Sequence, residues 1–275
     1  MSMEVDLLLE ARNLRRVYKL PRTSILGGRA ERHALRGVDL ALPAGGSLGI
    51  VGESGSGKTT LVRILLGLDR ATSGSVLYRG RPIVPGRPHS LRWFRREVQI
   101  VFQDPLSSLD PRQTVESIIR EPLTCLQIEG DHHARVLEVL DAVGLEADMR
   151  RRYPYEFSGG QQQRIAIARA IAAGPAVLVG DEPVSALDVS VRIQILDLLR
   201  RLATDMGLAL VLVSHDLGVV RHLCDDVLVL HEGVAVERGP VGEVFTRPQH
   251  DYTRQLLAAV PRIRTSGPAR TTRGG

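Results

Sequence analysis

Gly52-Glu-Ser-Gly-Ser-Gly57-Lys58-Thr59 constrains this chain more than any other segment. Glycines let a backbone curl with its N–H groups facing inward, which makes a concave nest for anionic oxygens. Ser47 to Val51, just before the segment, reads as a short strand, and Leu61 to Leu68, just after it, has helical spacing. A helix that starts at such a loop aims the positive end of its dipole at the same point. The segment fits G-x-x-x-x-G-K-[ST] at each fixed position, in the strand–loop–helix context the motif requires. Gly52, Glu53, Ser54, Gly55, Ser56 and Gly57, with Thr60 just beyond, are expected to surround the phosphates of ATP. Lys58 reaches the β- and γ-phosphates as a mobile cation, and Thr59 offers its hydroxyl to Mg²⁺.

The flanking pattern is that of an α/β protein. Gly37 to Leu42 alternates with period two, as a half-buried strand does. Val98 to Phe102, Ala176 to Val179, Leu208 to Val213 and Val227 to Leu230 are compact apolar runs of the kind found in buried strands. Between about 105 and 160 the pattern turns helical, with Val136, Leu137, Val139, Leu140 and Val143 on one face, which reads as an inserted helical subdomain. One of the apolar runs ends in two acids, Asp181 and Glu182. At a strand end beside a phosphate cradle, the first can hold Mg²⁺ and the second can polarise an attacking water as general base.

Phe157-Ser158-Gly159-Gly160-Gln161 adds a second phosphate-facing helix start, ahead of a helix over Ile165 to Ile171. A small kinase with one phosphate loop has no use for it, so one of the two ends is expected to serve a neighbouring subunit. At this point the chain resembles the ATP-binding cassette (ABC) ATPases. Ser158 to Gln161 is similar to their signature motif, with Phe157 where leucine is usual. Gln103 resembles the Q-loop glutamine, Ser185-Ala-Leu-Asp188 the D-loop, His215 the switch histidine, and Tyr18 the aromatic that stacks on adenine.

The resemblance implies a P-loop NTPase (RecA-like) α/β core with an inserted α-helical subdomain and an antiparallel β subdomain. It also implies a head-to-tail dimer with two ATPs sandwiched between subunits. Lys58, Thr59, Gln103, Asp181, Glu182 and His215 would act on one nucleotide, with Mg²⁺ held by Thr59, Gln103 and Asp181. Ser158, Gly160, Gln161 and Asp188 would face the nucleotide bound to the partner. Catalysis would fall to Glu182, His215, Gln103 and Lys58.

Two stretches narrow the group. Val101-Phe-Gln-Asp-Pro-Leu-Ser-Ser-Leu-Asp-Pro-Arg112 and the tail Arg247-Pro-Gln-His-Asp-Tyr-Thr-Arg-Gln-Leu-Leu257 resemble the oligopeptide/dipeptide importer ATPases. The tail has Asp251 where that group usually has proline. The implied role is to energise uptake of peptides or a similar small solute through two separate permease subunits, served by an extracytoplasmic solute-binding protein. Nickel importers, and non-transport ABC ATPases such as carbon–phosphorus lyase accessory subunits, are the alternatives. On this reading the ATPase domain spans 1–245, a C-terminal extension 246–264, and a Ser/Thr/Gly/Arg-rich tail 265–275 that reads as disordered. Pro21 to His33 reads as an inserted loop that lengthens the spacing from Tyr18 to Gly52.

Composition agrees with a globular chain. Of 275 residues 43% are hydrophobic and 24% charged, and no apolar run approaches the length of a membrane span. The start of the chain lacks the basic, then apolar, pattern of a signal peptide. The expected location is the cytoplasmic face of the membrane, through partners. The charge of +5 is nearly all arginine, scattered without interleaved aromatics, so no nucleic-acid partner is expected. Cys125 and Cys224 stand far apart and read as two buried small hydrophobes.

Overall fold

The computed structural model describes residues 6–19 and 30–259. Most of the loop read at 21–33, and the tail read at 265–275, lie outside the described residues.

Two sheets organise the chain. The first is antiparallel, in the order β2-β1-β4-β5, from β1 (Leu7–Lys19), β2 (Glu31–Pro43), β4 (Ser73–Tyr78) and β5 (Arg81–Pro82). The second has the order β10-β9-β3-β8-β7-β6. Its members are β3 (Ser47–Val51), β6 (Val98–Val101), β7 (Val177–Asp181), β8 (Ala209–Val213), β9 (Asp226–His231) and β10 (Val234–Pro240). All its pairs are parallel except β9 with β10.

Parallel strands covered on both faces must be apolar on both. Here the two faces serve different cores. Ala209, Val211 and Val213 of β8 join one cluster with Leu48 and Ile50 of β3 and with Leu9, Leu14, Val38 and Leu40 of the antiparallel sheet. Leu210 and Leu212 join the other, with Ile165, Ala168, Ile171, Leu196 and Leu199 from helices. β7 divides the same way, Val177 and Val179 on one side and Leu178 on the other.

Helix α1 (Lys58–Leu65) starts at the phosphate loop and α2 (Arg92–Glu97) precedes β6. The helix expected at Leu61 to Leu68 ends earlier, because Leu66 caps it and Gly67 turns left-handed at φ +65°. The helical region holds α3 (Pro105–Ser108), α4 (Val115–Cys125) and α5 (His132–Ala142), packed on α6 (Gly159–Ala172). Then come α7 (Val189–Met206), α8 (Leu217–Leu223), α9 (Val241–Thr246) and α10 (Asp251–Ala258). Among the described residues no helix is long and apolar enough to cross a membrane.

Two expectations change. The strand read at Gly37 to Leu42 is thirteen residues long and pairs with an equally long β1. Cys125 is exposed and only Cys224 is buried. Helix α4 buries Val115, Ile118, Ile119 and Leu123, and Cys125 falls at its end, off that stripe.

Candidate active site

Strands β3, β8, β7 and β6 are consecutive neighbours, and all run the same way. Their C-terminal ends therefore lie side by side, where α/β sheets bind ligands. Ile50 pairs with Val213, Val213 with Asp181, and Val101 with Gly180. The four following loops carry Gly52–Thr59, His215, Glu182 and Gln103. They meet in a cavity of about 500 Å³ lined by Ser54, Gly55, Gly57, Lys58, Thr59, Thr60, Gln103, Asp181, Glu182 and His215.

Gly52 packs so closely on β9 that a Cβ there would lie 2.1 Å from the Leu230 carbonyl oxygen. Lys58 Nζ donates to the carbonyls of Gly52 (2.6 Å) and Glu53 (2.8 Å). Burial holds the Lys58 ammonium below its ordinary pKa, against the pull of Glu182, Asp181 and Glu53. Asp181 is pushed the other way, above the usual aspartate value, by burial and by the charge of Glu182, with Lys58 opposing.

Glu182 sits at φ +50°, a left-handed backbone seldom taken by a non-glycine residue. Its N–H donates to the Val213 carbonyl (2.9 Å), and its own carbonyl accepts from the Ser185 N–H (3.2 Å) and hydroxyl (3.1 Å). So held, its carboxylate Oε1 lies 3.0 Å from His215 Nδ1. A divalent cation fits the donor set: Thr59, Gln103 and Asp181 present hard oxygens to one cavity, and two adjacent carboxylates repel without a cation.

The second helix start stands apart. Ser158 caps α6, its Oγ accepting from Gln161 N–H (3.4 Å) while Gln161 Oε1 accepts from Ser158 N–H (3.0 Å). Gly160 permits close contact with α7, since a Cβ there would lie 2.5 Å from Val191 Cγ1. Asp188 occupies the N-cap of α7 without a side-chain cap bond. Ser158, Gly160, Gln161 and Asp188 do not line the phosphate-loop cavity. Neither does Tyr18, whose hydroxyl donates to Asp69 (2.7 Å) and whose ring carries the Arg16 guanidinium 4.3 Å from its centroid.

Sequence reasoning missed two arginines. Arg32, opposite Tyr18 in the β1–β2 register, lines the cavity. It fell in a stretch read as an insertion, which gave no signal. Arg192 donates to Asp216 Oδ2 (3.0 Å) and to the Leu187 carbonyl (3.4 Å), tying the 185–188 loop to the residue after His215. Its place one turn beyond Asp188 was the available clue.

A family model described as "ABC transporter" matches residues 35–185. The oligopeptide transport ATP-binding protein OppF of Lactococcus lactis is 46% identical over 232 residues, 84% of this chain and 73% of the relative. The dipeptide transport ATP-binding protein DppF of Haemophilus influenzae is 43% identical over 259 residues, 93% of this chain and 79% of the relative. The solved dimer of the ATP-binding cassette MJ0796, bound to ADP and Pi in a post-hydrolysis state, superposes with a TM-score of 0.74 at 30% identity. That match covers 85% of this chain and 99% of the other. By sequence over most of its length and by fold, the chain belongs to the ABC transporter ATPases, among the oligopeptide and dipeptide transport ATP-binding proteins.

Proposed function

We propose that the chain hydrolyses ATP at the 52–60 loop to drive import of peptides through separate permease subunits. One observation carries this reading: four neighbouring strands deliver Lys58, Thr59, Gln103, Asp181, Glu182 and His215 to one cavity. Glu182 orients and deprotonates the attacking water, and His215 holds that carboxylate while contacting the γ-phosphate. Thr59, Gln103 and Asp181 would hold Mg²⁺, which would supply positive charge against the phosphates. Lys58 leaves the Gly52 and Glu53 carbonyls to meet the β- and γ-phosphates. Tyr18 stacks on adenine once Arg16 yields its face.

The exposed Ser158–Gln161 end, with Asp188 beside it, completes the site of a second cassette in a head-to-tail dimer. The dimeric state of the MJ0796 relative supports this. Peptide as the cargo class is supported by the names of the relatives. A groove of about 760 Å³ shares Gln103 and Asp181 with the ATP cavity and is walled by Leu68, Phe102, Glu121 and Cys125. The helical region 105–160 and this groove receive a permease segment at the cytoplasmic face of the membrane, and the 246–264 extension is an accessory to the 1–245 domain. Purification of the chain from membranes tests the assembly: permease subunits are expected to accompany it, and soluble lyase subunits or ribosomes in their place would refute the transport role.

A further inference from the structure

The tail helix α10 reaches the phosphate loop. Tyr252 is buried, and its hydroxyl oxygen accepts the Glu53 N–H at 2.9 Å across 199 residues of sequence. Its ring stacks on His231, with centroids 3.8 Å apart and planes inclined by 29°. His231 ends β9, the strand that flanks β3 on the side away from β8. Val51 pairs with Val229 there, so the loop leaves β3 alongside Leu230 and His231.

The tyrosine is itself firmly placed. Glu237, on β10, accepts the N–H groups of Gln249 (2.8 Å) and His250 (3.1 Å) just before the helix. His250 Nδ1 accepts the Tyr252 N–H (3.1 Å). Glu237 thus ties the helix start to the sheet edge, and His250 caps the helix itself. Burial raises the pKa of the Tyr252 hydroxyl above the ordinary phenol value, so it stays neutral.

We infer that Tyr252 is a positioning residue for the phosphate loop, holding the Glu53 amide so that the loop keeps the shape that receives nucleotide. The inference rests on the reading of Gly52–Thr59 as the phosphate cradle. The Glu53 backbone is held at its N–H by Tyr252 and at its carbonyl by Lys58 and the Ser56 N–H. When Lys58 turns to the phosphates the carbonyl keeps only the Ser56 N–H within the loop (3.2 Å), and the tyrosine remains the hold on Glu53 from outside the loop. A purely packing role would need only the ring; the hydroxyl is what distinguishes the two.

The test uses the full chain. Tyr252→Phe keeps the ring and its stack on His231 and removes one oxygen. Binding of a fluorescent ATP analogue, steady-state hydrolysis and nucleotide-free melting are compared with wild type. Expected is a roughly three- to tenfold loss of nucleotide affinity, the worth of one hydrogen bond. The KM for ATP rises in proportion, and kcat changes less, by about twofold at most. His231→Ala keeps the hydroxyl but removes its platform, and is expected to weaken binding in the same direction. Wild-type affinity and KM in folded Tyr252→Phe would overturn the inference. Lys58→Ala separates the two layers. If it abolishes binding while Tyr252→Phe binds normally, only the role of Tyr252 fails. If Lys58→Ala binds normally, the phosphate-cradle reading fails.

Discussion

His215 Nδ1 stands 3.0 Å from Glu182 Oε1, at the ends of two strands that pair in parallel. The contact joins a base candidate to the residue that orients it, which is how paired catalytic groups act as a unit. Glu182→Gln keeps the shape and the left-handed backbone but removes the charge. Turnover is expected to fall by about 10²–10⁴ while ATP binding persists. Adding His215→Ala is expected to cost little more, since groups that act together are not additive. Phosphate release and nucleotide binding, measured on both variants, check this; near-normal hydrolysis by Glu182→Gln removes it from the role of base.

Asp181 carries a stability cost with a definite sign. Its folded pKa lies above the ordinary value, through burial first and the charge of Glu182 second. The native state therefore keeps its proton where the unfolded chain has lost it. The stabilising contribution is present below the unfolded pKa and is lost as pH rises through the folded one. Asp181→Asn is expected to raise the nucleotide-free melting temperature at neutral pH by a few degrees, about 2–4 °C. The gain shrinks as pH falls through the folded pKa, where the wild-type group takes up its own proton. Hydrolysis by the same variant collapses. A melting series across this range decides it, and a gain that grows on acidification would reverse the sign.

Gly160 marks where α6 meets α7. A methyl group there lands 2.5 Å from Val191 Cγ1. Gly160→Ala is expected to destabilise the fold by about 1–3 kcal/mol, as overpacked contacts do. It should also reduce turnover more than ATP binding, because it displaces the Ser158–Gln161 end and leaves the phosphate loop untouched. Val191→Ala in the same chain restores room. Denaturant unfolding of the single and double variants measures the rescue, and no recovery in the double variant would place the strain elsewhere.

The two cysteines make a built-in probe of the groove. Cys125 is exposed on its wall, while burial pushes the Cys224 thiol up to about 12. A maleimide at neutral pH is expected to label Cys125 quickly in the native protein and Cys224 only after unfolding. Permease bound in the groove should protect Cys125. Equal labelling of free and membrane-assembled protein would put the docking surface elsewhere.

Much of this site could be read before the fold was known, and the reason is physical. Strands β3, β7, β8 and β9 are covered on both faces, so their interiors are apolar, as in Leu208 to Val213 and Val227 to Leu230. The phosphate loop declares itself because only glycine tolerates the approach to Leu230. Elsewhere the signal is thin. β1 exposes arginines such as Arg12 and Arg15 between its buried residues and gives no clear run, and in β2 only Gly37 to Leu42 shows the alternation. Arg32 acquires its place only from pairing with Tyr18. The Glu53–Tyr252 bond spans 199 positions, and neither residue type announces it. Periodicity encodes which face is buried; it does not encode which distant polar group waits there.

The division of β8 between two cores has a practical use. Val211 faces the antiparallel sheet and Leu212, one peptide bond away, faces the helices. In this strand, odd and even numbering is an address. Trimming Leu212 to alanine costs about 2–4 kcal/mol and trimming the smaller Val211 costs less, yet each softens a different half of the molecule while His215 stays at the same strand end. A pair of neighbours thus asks which layer transmits motion to the phosphate-loop cavity, with the position along the strand held nearly constant.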